Sequence, residues 1–113
     1  MYWNIKEIQA PELADWLENQ SEGAFRVIDV REPAEVRSGS VPGAEHLPLA
    51  TLPVRFQEFD RDETLVFVCR SGARSAQACM FLQQQGFENV LNLRGGMQAW
   101  AGSGLPAPLP QAV

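Results

Sequence analysis

Apolar positions in this chain come in two kinds of run: short β-branched blocks, and longer stretches with apolar residues three or four apart. The first stretch, Ile5 to Leu17, opens as an extended stub. It becomes helical around Pro11, a first-turn position that needs no amide donor, with Leu13, Trp16 and Leu17 at helical spacing. After Gly23, Phe25 to Val30 is a β-branched strand. Pro33 to Arg37 predicts a short helix stopped at Gly39, and Ser40-Val41-Pro42-Gly43-Ala44 is turn chemistry leading into a very short strand at Glu45-His46-Leu47. Leu52, Val54, Phe56 and Phe59 predict an irregular helix over 49–59, broken by Pro53. Thr64 to Val68 is the strongest strand; it lacks polar alternation, so it is expected to be central and covered on both faces. A loop at Ser71-Gly72-Ala73 leads into a helix over 75–85 that Gly86 ends. Asn89 to Leu93 is a further strand, Gly95-Gly96 a turn, and Met97 to Ala101 a last short helix. From Gly102 onward the composition predicts a frayed end. Strands alternating with helices predict an α/β fold, a small central parallel β-sheet with helices on both faces.

Length and composition narrow the function. The 113 residues suit one domain, here 1–106, with 107–113 expected to be a flexible Pro-containing tail. The N-terminal residues lack the basic and apolar blocks of a signal peptide, and no apolar run approaches a membrane span, so a cytoplasmic location is expected. A net charge of −5 argues against nucleic acid and anionic membranes as partners. It does not exclude a small anion, because charges beyond roughly 8 Å are screened at physiological salt and a local arginine pair can dominate. Two cysteines, Cys69 and Cys79, and one histidine, His46, form no metal-ligand spacing, so no metal is expected. No disulfide framework is expected either.

The chemistry concentrates in Leu65-Val66-Phe67-Val68-Cys69-Arg70-Ser71-Gly72-Ala73-Arg74-Ser75. A buried strand delivers Cys69 at its carboxyl end, where open α/β sheets place ligands. The next helix begins with amides that lack intrahelical partners. If the loop curls around the thiol, those amides and the helix dipole favour thiolate. Gly72 tolerates positive φ, and Arg70 and Arg74 supply planar forks suited to an oxyanion. Lowering a thiol pKa by about two units raises the thiolate fraction roughly 25-fold, but the loss of intrinsic nucleophilicity returns nearly tenfold. The loop's larger task is therefore to bind an anion and stabilise the sulfur species formed. Cys69 is the expected nucleophile, with Arg70, Ser71, Gly72, Ala73, Arg74 and Ser75 as the substrate-binding loop.

This segment and its flanks resemble the rhodanese-like, single-domain sulfurtransferase family. The resemblance runs through Asp29-Val30-Arg31-Glu32, Gly39-Ser40-Val41-Pro42-Gly43-Ala44, the Cys69–Ser75 loop, Gly86-Phe87-Glu88-Asn89-Val90, and Leu93-Arg94-Gly95-Gly96-Met97-Gln98-Ala99-Trp100. It implies a rhodanese-like fold and thiosulfate sulfurtransferase activity: Cys69 takes the outer sulfur of a donor such as thiosulfate, becomes a persulfide, and passes the sulfur to a thiol or to cyanide. No organic cofactor is implied. The acceptor could be thioredoxin or another sulfur-relay protein, and a monomer is the simplest expectation. Four residues separate Cys69 from Arg74, whereas related phosphatases and arsenate reductases have five in a wider loop, so the shorter loop suits a sulfane sulfur. Ser40 stands where the family usually has His, and His46 where it often has Asn.

Asp29 and Arg31, with Glu35, would lie beside the Cys69 strand and could orient the loop. Cys79, inside the following helix, is expected to be buried; Trp16 and Trp100 are expected core aromatics, and Trp3 fits no pattern. The competing reading is a non-catalytic or sulfur-carrier/redox interaction module on the same fold.

Overall fold

The computed structural model describes residues 4–19 and 24–109. Five parallel strands form one sheet: β1 (Lys6–Ile8), β2 (Phe25–Asp29), β3 (Glu45–His46), β4 (Thr64–Val68) and β5 (Val90–Leu93), in the spatial order β1-β5-β4-β2-β3. The apolar block Thr64–Val68 is the central strand, as its unbroken hydrophobicity requires. It pairs with β2 from Phe25↔Thr64 to Asp29↔Val68. The expected N-terminal stub is an edge strand, paired with β5.

Alternation along the strands builds two separate cores. Val27, Val66, Val68 and Leu93 point to one face, against Ile8 and against Leu13, Met97 and Trp100 of the helices α1 (Ala10–Asn19) and α5 (Gly96–Gly102). Ile28, Leu65, Phe67 and Val90 point to the other face. There they meet Ala78, Cys79 and Leu82 of α4 (Ala73–Gln84), Leu52 of α3 (Leu52–Arg55), and Phe59 and Phe87. Trp100 is in the core and Trp16 stacks edge-on against Phe25 at 5.5 Å. Trp3 and Gly23 lie outside the described residues.

Helix α4 ends as its sequence demands. Gly86, at φ +93°, lets Phe87 N–H reach back to Leu82 C=O at 3.0 Å and Gly86 N–H to Gln83 C=O at 3.1 Å. Helix α2 (Pro33–Val36) starts at a proline, where the missing amide donor costs nothing.

Two expectations are corrected. The single helix over 49–59 is three short pieces: 3-10 turns at Leu49–Thr51 and Phe56–Glu58 flank α3. Pro53 opens α3 rather than breaking a longer helix, because it sits in the first turn. The end expected to fray from Gly102 is folded back over residues 105–108. Leu105 and Ala107 pack on the α1/α5 core, Trp100 Nε1–H donates to Pro106 O at 2.8 Å, and Ser40 N–H donates to Pro108 O at 3.2 Å. A buried indole N–H needs a partner, and this segment supplies it. Residues 110–113 lie outside the described ones.

Candidate active site

Leu65, Phe67 and Cys69 fall on the α4 side of the sheet by strand alternation, so the end of β4 turns Cys69 toward the N-terminus of α4. The intervening loop is held open around the sulfur from outside. Met97 N–H donates to Cys69 C=O at 2.8 Å, and Gln98 N–H to Arg70 C=O at 3.0 Å. With those carbonyls drawn outward onto the first turn of α5, the loop amides are left facing inward. Gly96 makes this approach possible: it sits at φ +55°, and a Cβ there would lie 2.3 Å from Cys69 O and 2.7 Å from Arg70 C. Gly72, at φ +101°, bends the loop into α4.

Gly72 N–H reaches Cys69 Sγ at 3.1 Å and the Ser75 hydroxyl lies 3.3 Å from it. Burial is the largest single influence on the thiol and pushes its pKa up. Hydrogen bonds from the Ser75 hydroxyl and from the amides of Ser75, Gly72 and Ser71 together outweigh it and hold the thiol below its ordinary value. Cys79 is the opposite case. Burial, with a smaller push from the Glu7 charge, raises it to about 12, which leaves it an inert thiol in the helix interior.

The two loop arginines differ. Arg74 spends its fork on Glu35 of α2, at 2.6 and 2.8 Å. That bond, opposed in part by burial and aided by Glu32 N–H, lowers the Glu35 carboxyl to about 2. Arg70 is exposed and makes no side-chain hydrogen bond or ion pair among the described residues. Ala73 is exposed at the helix start, and Ser71 is exposed with its amide toward the sulfur.

Asp29 and Arg31 form a buried pair at the carboxyl end of β2, next to β4. Arg31 reaches both carboxylate oxygens, at 2.7 Å for the closest contact, and also Gly39 C=O at 2.7 Å. Ser40, the departure from the family pattern, donates to Asp29 Oδ2 at 2.6 Å. His46 is exposed, with Nε2 2.7 Å from Arg31 C=O; a carbonyl only accepts, so Nε2 carries the proton. Asp29, Arg31 and Ser40 therefore brace the loop's neighbouring strand and do not touch the sulfur.

Asn92 is the site residue that sequence reasoning passed over. It is 3% exposed on β5, and its side chain contacts the Ser75 hydroxyl and Gly72 C=O. An Asn between Leu91 and Leu93 in a buried strand was the available signal, since a buried amide must be paired. Among the described residues no cluster of His, Cys, Asp or Glu could hold a metal ion, and no helix is long and apolar enough to cross a membrane.

A family model described as the rhodanese-like domain matches residues 10–103. A protein of Allochromatium vinosum named sulfurtransferase is 44% identical over 107 residues, covering 95% of this chain and 98% of its own. YtwF of Bacillus subtilis is 42% identical over 102 residues, covering 90% and 96%. Among solved structures, a rhodanese-related protein of Thermoplasma volcanium superposes with a TM-score of 0.82 at 33% identity, over 93% of this chain and 99% of that one. A rhodanese-like domain protein of Staphylococcus aureus does so with a TM-score of 0.79 at 32% identity, over 92% and 99%.

Proposed function

This chain belongs to the rhodanese-like domain family, and from that premise we propose that it is a sulfurtransferase working through a Cys69 persulfide. The observation that carries the reading is the ring of donors on Cys69 Sγ, supplied by the loop amides and Ser75 at the N-terminus of α4. The thiolate attacks the outer sulfur of a donor such as thiosulfate. The new S–S bond forms as the old one breaks, and sulfite leaves with the bonding pair. The negative charge then rests on the outer sulfur, facing the loop amides. An acceptor thiolate, or cyanide in the assay, attacks that outer sulfur and Cys69 departs as the thiolate it was. The acceptor thiol can be small or carried by a relay protein such as thioredoxin. The cycle needs no metal or organic cofactor. A module that only binds a partner has no need of a thiol ringed by donors.

The test is intact-protein mass after thiosulfate and again after cyanide. The expected result is a gain of about 32 Da, one sulfur atom, that cyanide removes and that Cys69→Ser never shows. An adduct that persists in Cys69→Ser would sink the mechanism.

A further inference from the structure

Ser75 and Asn92 are both buried, at 0% and 3% exposure, and they share a proton problem with Cys69. The Ser75 hydroxyl has one hydrogen but two acceptors in reach: Cys69 Sγ at 3.3 Å, and Asn92 Oδ1, which is closer. The Asn92 amide cannot turn to relieve this. Its Nδ2 lies 3.2 Å from Gly72 C=O and 3.3 Å from Glu7 Oε2, and both partners only accept, so the nitrogen must face them and Oδ1 must face Ser75.

We infer that Asn92 is a positioning residue for the reaction, holding the Ser75 proton while the Cys69 sulfur is uncharged and releasing it to the sulfur when Cys69 is a thiolate. With the thiol protonated, S–H donates to Ser75 Oγ and Ser75 donates to Asn92. On ionisation the thiol proton leaves to water, the Ser75 hydroxyl rotates toward the sulfur, and Asn92 Oδ1 loses its donor. When Sγ is capped by the transferred sulfur, charge moves outward and the hydroxyl returns to Asn92. No covalent bond other than S–H changes in the switch itself. Asn92 thus taxes the thiolate and favours the sulfur-loaded state.

Charged groups around the thiol include Arg70 and Arg74 of its loop and α4, Glu32 and Glu35 at α2, Asp29 ending β2 and Arg31 just after it, Lys6 and Glu7 on β1, and Arg94 just after β5. Arg74 is closed by Glu35 and Arg31 by Asp29, while Glu7, through its contact with Asn92 Nδ2, is the charged end of the Asn92 chain.

The inference rests on reading Cys69 as the reactive sulfur, but its readout is the acidity of the thiol and not turnover. The rate of iodoacetamide alkylation against pH, in a Cys79→Ala background, gives the midpoint for Cys69. Asn92→Leu, of similar volume, should lower that midpoint by about 0.5–1 pH unit, the effect of one freed hydrogen bond. Added to Ser75→Ala, the same change should move it by less than about 0.2 unit, because the hydroxyl through which Asn92 acts is gone. An equal shift in both backgrounds, or an upward shift, would mean that Asn92 only shapes the loop through Gly72, and would overturn the proposal. Should Asn92→Leu unfold, the unmutated side chain can report instead. The Asn92 amide N–H resonances should titrate with the Cys69 midpoint in the otherwise native protein and stand still in Ser75→Ala. Resonances that ignore Cys69 ionisation would equally refute it.

Discussion

At the scale of single residues, two glycines with similar backbones carry different burdens. Gly96 and Gly43 both sit at positive φ, +55° and +76°. A side chain at Gly43 would meet nothing within 4 Å, whereas one at Gly96 would strike the carbonyls of Cys69 and Arg70. Gly43→Ala should therefore cost about 1 kcal/mol, the conformational penalty alone. Gly96→Ala should cost about 2–4 kcal/mol by adding a backbone clash, and should weaken persulfide formation by pushing α5 off the Cys69 and Arg70 carbonyls that it anchors. Urea midpoints for the two variants, with adduct yield measured under native conditions, check the contrast; equal costs would remove Gly96 from the architecture of the loop.

At the scale of elements, the bond between α2 and α4 decides what the arginines can do. Glu35 stays ionised far into acid because Arg74 is its partner, so the pair persists at any pH where carboxylates are normally charged. Its contribution, about 1 kcal/mol or less for a pair this open to solvent, fades only as pH falls from the ordinary carboxylate range toward 2. Arg74 is therefore already engaged by Glu35, while Arg70 has no side-chain partner among the described residues. The expectation is that Arg70→Ala raises KM for thiosulfate about fivefold, more than Arg74→Ala does, and that an uncharged persulfide donor shows neither change. Steady-state kinetics with both donors decide it, and a larger effect at Arg74 would reverse the assignment. From sequence both arginines were assigned to one substrate-binding loop. Their difference depends on Glu35, 39 residues away from Arg74, and no local pattern carries that pairing. The strands, by contrast, were legible because their burial is written in runs such as Leu65 to Val68. Cys69 was legible as the candidate nucleophile because strand, glycine and helix start are contiguous around it. Asn92 and Ser40 were not, since each has meaning only through a partner brought by the fold: Ser75 for one, Asp29 for the other. The 49–59 segment misled because an apolar spacing near the helical period can also be met by consecutive short turns.

At the scale of the whole molecule, residues 105–108 close the α1/α5 side of the sheet. They accept the Trp100 indole proton and lie against Gly39, where a Cβ would be 2.3 Å from Ala107 O. Gly39 C=O in turn holds Arg31, so this segment also supports the buried pair beside β4. Ending the chain after Gly104 should destabilise it by about 2–4 kcal/mol, from an unpaired indole and lost apolar cover. Urea denaturation followed by tryptophan fluorescence measures this; an unchanged midpoint would mean that the segment rests on the body without stabilising it.

The outward anchoring of the Cys69 and Arg70 carbonyls also has a consequence for the order in which the molecule is born. Cys69 is made before α5, whose first turn anchors its loop, and before β5, which carries Asn92 and stands between the first strand and the central one. A growing chain therefore holds Cys69 and the α4 donors before the α5 amides that anchor the loop, and its first strand lacks its sheet neighbour β5. Anchoring of the loop and closure of the sheet therefore come together, once β5 and α5 have been made.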